Sequence, residues 1–164
     1  PETAHGHFHP GEAVIIKLNK GYNMQADSQA ELKDPKAYIV KPEGTRELEL
    51  HAHHNQGEIN LTEEIDGLAQ IYVHEKGEQE RYAAVLVEVG HHHHHGTQPI
   101  GLPLEIISTD YSHARMGENY EIQVLKNGIP LAGAEVKATY SSTKNRDYPH
   151  RCHCHLTYWT QQIP

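Results

Sequence analysis

An all-β fold, arranged as two small β-sandwich domains joined by a histidine-rich linker, is what this sequence predicts. Three observations predict it. Apolar residues recur with a period of two almost throughout, and no helical stripe is present. Turn-forming residues break the chain every eight to twelve positions, the spacing of short sandwich strands. Tyrosine occurs nine times against one Phe and one Trp, which suits strands with one apolar and one wet face.

The elements follow in order. Ala13-Val14-Ile15-Ile16-Lys17-Leu18 reads as a strand, ended by the turn residues from Asn19 to Asn23. Ala37 to Val40 follows Pro35 and stops at Pro42-Glu43-Gly44. Glu47-Leu48-Glu49-Leu50-His51 alternates cleanly and reads as one strand, and Gly57 to Thr62 and Ala69 to His74 are two more. Arg81 to Val89 closes the first half, with Val85, Val87 and Val89 on one face and Ala84, Leu86 and Glu88 on the other. Residues 1–90 thus form an amino-terminal sandwich and residues 91–100 a linker. Residues 101–164 form a carboxy-terminal β-domain. It holds strands at Leu104 to Ser108, Tyr120 to Leu125 and Glu135 to Tyr140, with a last one within Arg151 to Trp159. Lys126-Asn127-Gly128-Ile129 predicts a tight hairpin, since Asn-Gly accepts the positive φ angles of a type I′ turn.

Composition narrows the function classes. Hydrophobic residues make up 37% of the 164, so the core must be thin. A formal net charge of −8 argues against nucleic acid, whose binding needs a basic patch. Protonation of all sixteen histidines would reverse that charge to +8, so the surface potential is acid-sensitive. No apolar run approaches the eighteen or so residues of a membrane span. A start at Pro1 rather than Met fits an export signal already removed. The two cysteines are separated by one residue, where a bridge is strained, so they do not settle the redox compartment. No Ser/His/Asp signature, phosphate loop or His-Glu-x-x-His motif is present, so the expectation is a binding protein and not an enzyme.

The histidines carry the chemistry. Neutral imidazole coordinates Zn, Cu, Ni or Co, and most of the sixteen are clustered. His5, His7 and His9 alternate, which on a strand puts them on one side about 7 Å apart. One ion shared between neighbours then needs a bend, which Gly6 and Pro10 can supply; the alternative is a plain solvated terminus. His51 and His53 share a strand face and His54 follows near the turn Asn55-Gln56-Gly57, with His74 offered as a partner from another strand. The competing reading is a solvated strand end. His91, His92, His93, His94 and His95 form an unbroken run that suits buffering, delivery or local capture, against a passive polar linker. In Cys152-His153-Cys154-His155, thiolate and imidazole together suit Zn or Cu(I). On a strand, cysteines and histidines face opposite ways, so a single ion requires a bent loop or a site shared between chains. The spacing is not Cys-x-x-Cys-His, so no haem attachment is expected. His113 and His150 stand alone and read as surface residues.

Two stretches of the second half carry a resemblance. Gly101-Leu102-Pro103-Leu104-Glu105-Ile106-Ile107 and Val124 through Tyr140, which contains Asn127-Gly128-Ile129-Pro130-Leu131-Ala132-Gly133-Ala134, are similar to the carboxy-terminal β-domain of NikM-like periplasmic proteins associated with nickel or cobalt uptake. Ala4-His5-Gly6-His7 resembles the family's opening element. The resemblance is strongest over residues 101–140, and after Tyr148-Pro149 the chain departs from the family pattern. It implies immunoglobulin- or transthyretin-like sandwiches, a periplasmic or extracellular location and a membrane transporter as partner.

The expectation is an exported transition-metal-binding protein that captures or delivers Ni or Co, or Cu or Zn, through its histidine clusters. An ordered site would be built from the amino-terminal histidines and His51–His54. The rival is a structural subunit of a metal-binding extracellular filament or surface assembly formed through open β-edges. A copper enzyme using a terminal histidine is disfavoured by Pro1 at the first position.

Overall fold

The computed structural model describes residues 2–3, 7–22, 25–41, 43–61, 65–90, 97–108 and 121–136. His5, the run from His91 to His95, His113, His150 and Cys152 to His155 lie outside them, as do the strand within Arg151 to Trp159 and most of Glu135 to Tyr140. The fold is all-β. The chain divides into two compact units, Pro1–His92 and His93–Pro164.

The first unit is a β-sandwich. Its strands in chain order are β1 (Glu2–Thr3), β2 (His7–Phe8), β3 (Val14–Asn19), β4 (Gly21–Tyr22), β5 (Gln25–Ala26), β6 (Pro35–Lys41), β7 (Gly44–Leu48), β8 (His51–His53), β9 (Gln56–Leu61), β10 (Gly67–Glu75) and β11 (Arg81–Val89). One sheet has the order β1-β3-β9-β8 and the other β2-β11-β10-β6-β7. All pairs are antiparallel except β2 with β11. Alternation makes the core: Val14, Ile16 and Leu18 from β3 and Ile59 and Leu61 from β9 meet Ala37 and Ile39 from β6, Ala69, Ile71 and Val73 from β10, and Val87 and Val89 from β11. Phe8 caps this cluster and is 2% exposed. Each fully buried Ile contributes about 1.5–3 kcal/mol by leaving water.

Two expectations change here. Glu47 to His51 is not one strand. Leu48 ends β7 in one sheet, Leu50 lies in the link, and His51 begins β8 in the other sheet. Both leucines pack against the same core, so the alternation is real, but the backbone changes sheet between them. The region Asn19 to Asn23 is not only a terminator. Gly21–Tyr22 pairs with Gln25–Ala26 as a two-stranded ribbon. Glycine is required at 21, since a Cβ there would fall 1.8 Å from the Gln25 carbonyl oxygen.

In the second unit, β12 (Leu104–Ser108), β13 (Ile122–Lys126) and β14 (Ile129–Pro130) form a sheet in that order. The β13–β14 turn has Asn127 at φ 51° and Gly128 at φ 78°, the two positive angles that a type I′ turn demands. The segment beginning at Thr97, expected as linker, belongs to this unit. Thr97 is buried, its N–H donates to the Ser108 carbonyl at 2.9 Å, and its Oγ1 accepts the Ser108 N–H at 2.8 Å. The buried Glu105 carboxylate accepts the N–H groups of Ile100 (2.9 Å) and Gly101 (3.3 Å), and the Asn127 N–H donates to the Pro103 carbonyl at 2.9 Å. Gly101-Leu102-Pro103 is therefore a loop leading into β12 and clasped by that strand's Glu105.

Candidate metal centre

The β8–β9 hairpin gathers the mid-chain histidines. β8 is an edge strand, and its Cα register sets His51 opposite Glu58 and His53 opposite Gln56. On β9, Gly57, Ile59 and Leu61 are buried, so Gln56 and Glu58 face outward, and their cross-strand partners His51 and His53 share that outer face. His51 Nε2 lies 3.5 Å from Glu49 Oε1, and both side chains are well exposed. Asn60 Nδ2 donates to Glu58 Oε1 at 3.3 Å. The expected turn at Asn55-Gln56-Gly57 instead falls one residue earlier, at His54-Asn55, because Gln56 and Gly57 already pair with β8.

His54 occupies this turn at φ 52°, a conformation that L-residues other than Asn, Asp and His seldom adopt. Its ring meets that of His53 edge-on, with centroids 4.1 Å apart. The turn is held by its backbone: the His54 carbonyl accepts the Leu32 N–H at 2.8 Å and the Asn55 carbonyl accepts the Lys20 N–H at 2.7 Å. Lys20 is itself fixed. Its Nζ donates to Glu75 Oε1 at 2.5 Å and to the Glu31 carbonyl at 2.6 Å, and the Lys33 N–H adds a 2.8 Å bond to the same Glu75 oxygen. A nearly buried ion pair between Lys20, just after β3, and Glu75, at the end of β10, thus anchors the loop that grips the histidine turn.

Chemically the hairpin offers three imidazoles, with Glu49 in the link before β8 and Glu58 on β9 opposite His51. Among the described residues no three His, Cys, Asp or Glu side chains stand close enough to hold an ion in their present rotamers. Neighbours on one strand face are about 7 Å apart, so the rings of His51 and His53 must converge on an ion, a movement open to exposed side chains.

Of the amino-terminal histidines, His7 and His9 are described, and the backbone places neither at this hairpin. His7 lies on β2, registered against Glu88 at the edge of its sheet. That edge is opposite the one occupied by β7, from which the chain crosses to β8. His9 has left the strand for a turn in which the Glu12 N–H donates to the His9 carbonyl at 3.0 Å and the His9 N–H to Glu12 Oε2 at 2.9 Å. The bend is at Pro10-Gly11, with Gly11 at φ 82°. The backbone therefore does not set His7 or His9 beside His51–His54. His74 is not their partner either. Val73 and Glu75 are buried on the inner side of β10, so His74 projects from the outer face of the opposite sheet.

On that outer face the His74 ring stacks on Tyr82 of β11, with centroids 4.5 Å apart and planes at 5°. Tyr82 Oη donates to Glu80 Oε2 at 2.8 Å, and His74 Nε2 lies 3.9 Å from the same oxygen. Burial, then the bond to Glu80 and the charge of that carboxylate, push the Tyr82 phenol up to about 12. Tyr72 stacks on Tyr38 at 5.0 Å, and burial followed by the Tyr38 neighbour raises its pKa as well. Sequence reading missed Glu58, Glu80 and Tyr82. The signal for Tyr82 was its place on the outward face of β11, but its pairing with His74 needed the hairpin register.

A family model described as a domain of unknown function, DUF4198, matches residues 2–158, nearly the whole chain. No curated protein and no solved structure matches.

Proposed function

This chain belongs to the DUF4198 family of domains of unknown function, and we propose that it is an exported protein that binds a transition-metal ion and captures or delivers it. One observation carries the reading: His51 and His53 share the outer face of edge strand β8, registered against Gln56 and Glu58, with His54 held beside them in a pinned turn. The resemblance of residues 101–140 to NikM-like proteins favours nickel or cobalt as the ion and a membrane transporter as its recipient, acting in the periplasm or outside the cell. The run His91–His95 raises the local concentration of imidazole and suits buffering, delivery or local capture. The second reading is assembly through a free strand edge; of the edges in the first unit, β7 carries exposed Arg46 and Glu47, charges that discourage pairing along that edge.

The test is metal content by mass spectrometry on protein purified without added metal, with its size in solution, followed by Ni²⁺ titration of the H51A/H53A double variant. Stoichiometric Ni or Co on a small species and loss of the tightest site in the variant are expected. Unchanged affinity there, with loss on deleting residues 91–95, would move binding to the histidine run. Copper or zinc on a large assembly would replace this reading with a structural one. No metal on folded protein, with none taken up, would end it.

A further inference from the structure

We infer that His74 and Glu80 form a second divalent-cation site, on the outer face of the sheet opposite the His51–His54 hairpin, with Tyr82 as its positioning residue. The inference takes its ligand class from the metal-binding reading but depends on none of the same residues. The central observation is His74 Nε2. This atom is out of contact with solvent and has no hydrogen-bond partner, a condition that normally costs about 1–3 kcal/mol. What it faces is a carboxylate oxygen, Glu80 Oε2, at 3.9 Å. That gap is too long for a hydrogen bond and about 0.6 Å wider than the roughly 3.3 Å that a tetrahedral ion sets between a nitrogen and an oxygen ligand. A tetrahedral angle at the ion draws the oxygen in by roughly 0.5–0.8 Å. Glu80 can make that movement, because its side chain is 56% exposed and lies outside the strand.

The surroundings fix both ligands. The His74 ring is clamped by the parallel face of Tyr82 at 4.5 Å, and Tyr82 Oη holds the Glu80 carboxylate through its 2.8 Å bond. A hydroxyl oriented onto a ligating carboxylate is the usual outer support of a metal ligand and lowers the entropy lost on binding. On the other side of β10, the Cα partner of His74 is Lys36, whose ammonium lies 3.8 Å from Glu47 on β7. Glu75, next along β10, points to the inner side and is engaged by Lys20 and, at 3.8 Å, by Arg81. The carboxylate available to His74 is thus Glu80. Imidazole with one carboxylate suits a first-row divalent ion whose remaining positions are filled by water, and fits exchange better than permanent storage.

The experiment is a Zn²⁺ titration of the full chain followed by NMR of the assigned ring signals of His74, Tyr82, His51 and His53. Saturable movement of the His74 signals is expected, weakened at least about tenfold in Glu80→Gln and about tenfold in Tyr82→Phe, which keeps the ring stack and removes only the hydroxyl. The thermal midpoint of Glu80→Gln in the absence of metal should be unchanged, separating ligation from folding. His74 signals that stay still while those of His51 and His53 move would overturn this site and leave the hairpin reading intact. Movement of His74 alone would support this site and count against the hairpin. Movement of His74 with the same affinity in Glu80→Gln would overturn the assignment of the carboxylate.

Discussion

Lys20 Nζ lies 2.5 Å from Glu75 Oε1 across 55 residues of chain, with both side chains nearly buried at 14% and 8% exposure. The pair joins the end of β3 to the end of β10, and the Lys20 backbone reaches on to the histidine turn through Asn55. Lys20→Met therefore leaves a buried carboxylate without its principal counter-charge and should cost about 3–5 kcal/mol. Adding Glu75→Leu should restore much of that loss, because the uncompensated charge goes too. A urea-denaturation double-mutant cycle measures both; a loss in the double variant equal to the sum of the two single losses would show that the pair is not coupled.

His54 gives a backbone prediction. A left-handed conformation costs an L-residue about 1–2 kcal/mol, and glycine escapes it at an entropic cost of about 0.5–1 kcal/mol. His54→Gly should be more stable than His54→Ala by about 0.5–1 kcal/mol, while both lose the same metal affinity. Thermal unfolding paired with calorimetric titration reads the two effects separately.

The tyrosines set an alkaline limit. Tyr82 has its pKa raised to about 12 from an ordinary value of 10, and that of Tyr72 is raised in the same direction. The folded state therefore holds these protons more tightly than the unfolded chain. Their contribution to stability is fully present below pH 10 and is lost as the pH rises from there through about 12. In metal-free protein, Tyr82→Phe should flatten that decline, as followed by denaturation at stepped pH. A decline of the same steepness in the variant would refute the assignment.

Glu105 organises the start of the second unit. In Glu105→Ala the Ile100 and Gly101 N–H groups lose their acceptor, at a cost of about 1–3 kcal/mol for each donor left without water or a new partner. Glu105→Gln, which keeps a carbonyl oxygen, should lose less. Hydrogen exchange at Ile100 and Gly101 should accelerate in the alanine variant and change little at Asn127, whose bond goes to Pro103.

Much of the fold was legible because strand alternation is a local property. Val14, Ile16 and Leu18 announce the inner face of β3, Arg81–Val89 carries the bounds of β11, and Asn127-Gly128 specifies its own turn. The sheet change between Leu48 and Leu50 was not legible, since both leucines keep the period of one continuous strand and both reach the core. Histidine clustering pointed to His51, His53 and His54 but not to Glu58, a residue of ordinary appearance placed by the β8–β9 register.

The sequence by itself determined the long strands such as β3, β10 and β11, their apolar faces, the Asn-Gly hairpin and the abundance of imidazole, because each depends on residues within a few positions of one another. Tertiary structure decided which strand lies beside which. It set His7 and His51 on opposite edges, turned His74 away from them toward Glu80 and Tyr82, and brought Lys20 to Glu75. A period of two fixes the side from which a side chain projects. Its neighbours across the sheet are fixed only when distant strands pair to close a common core.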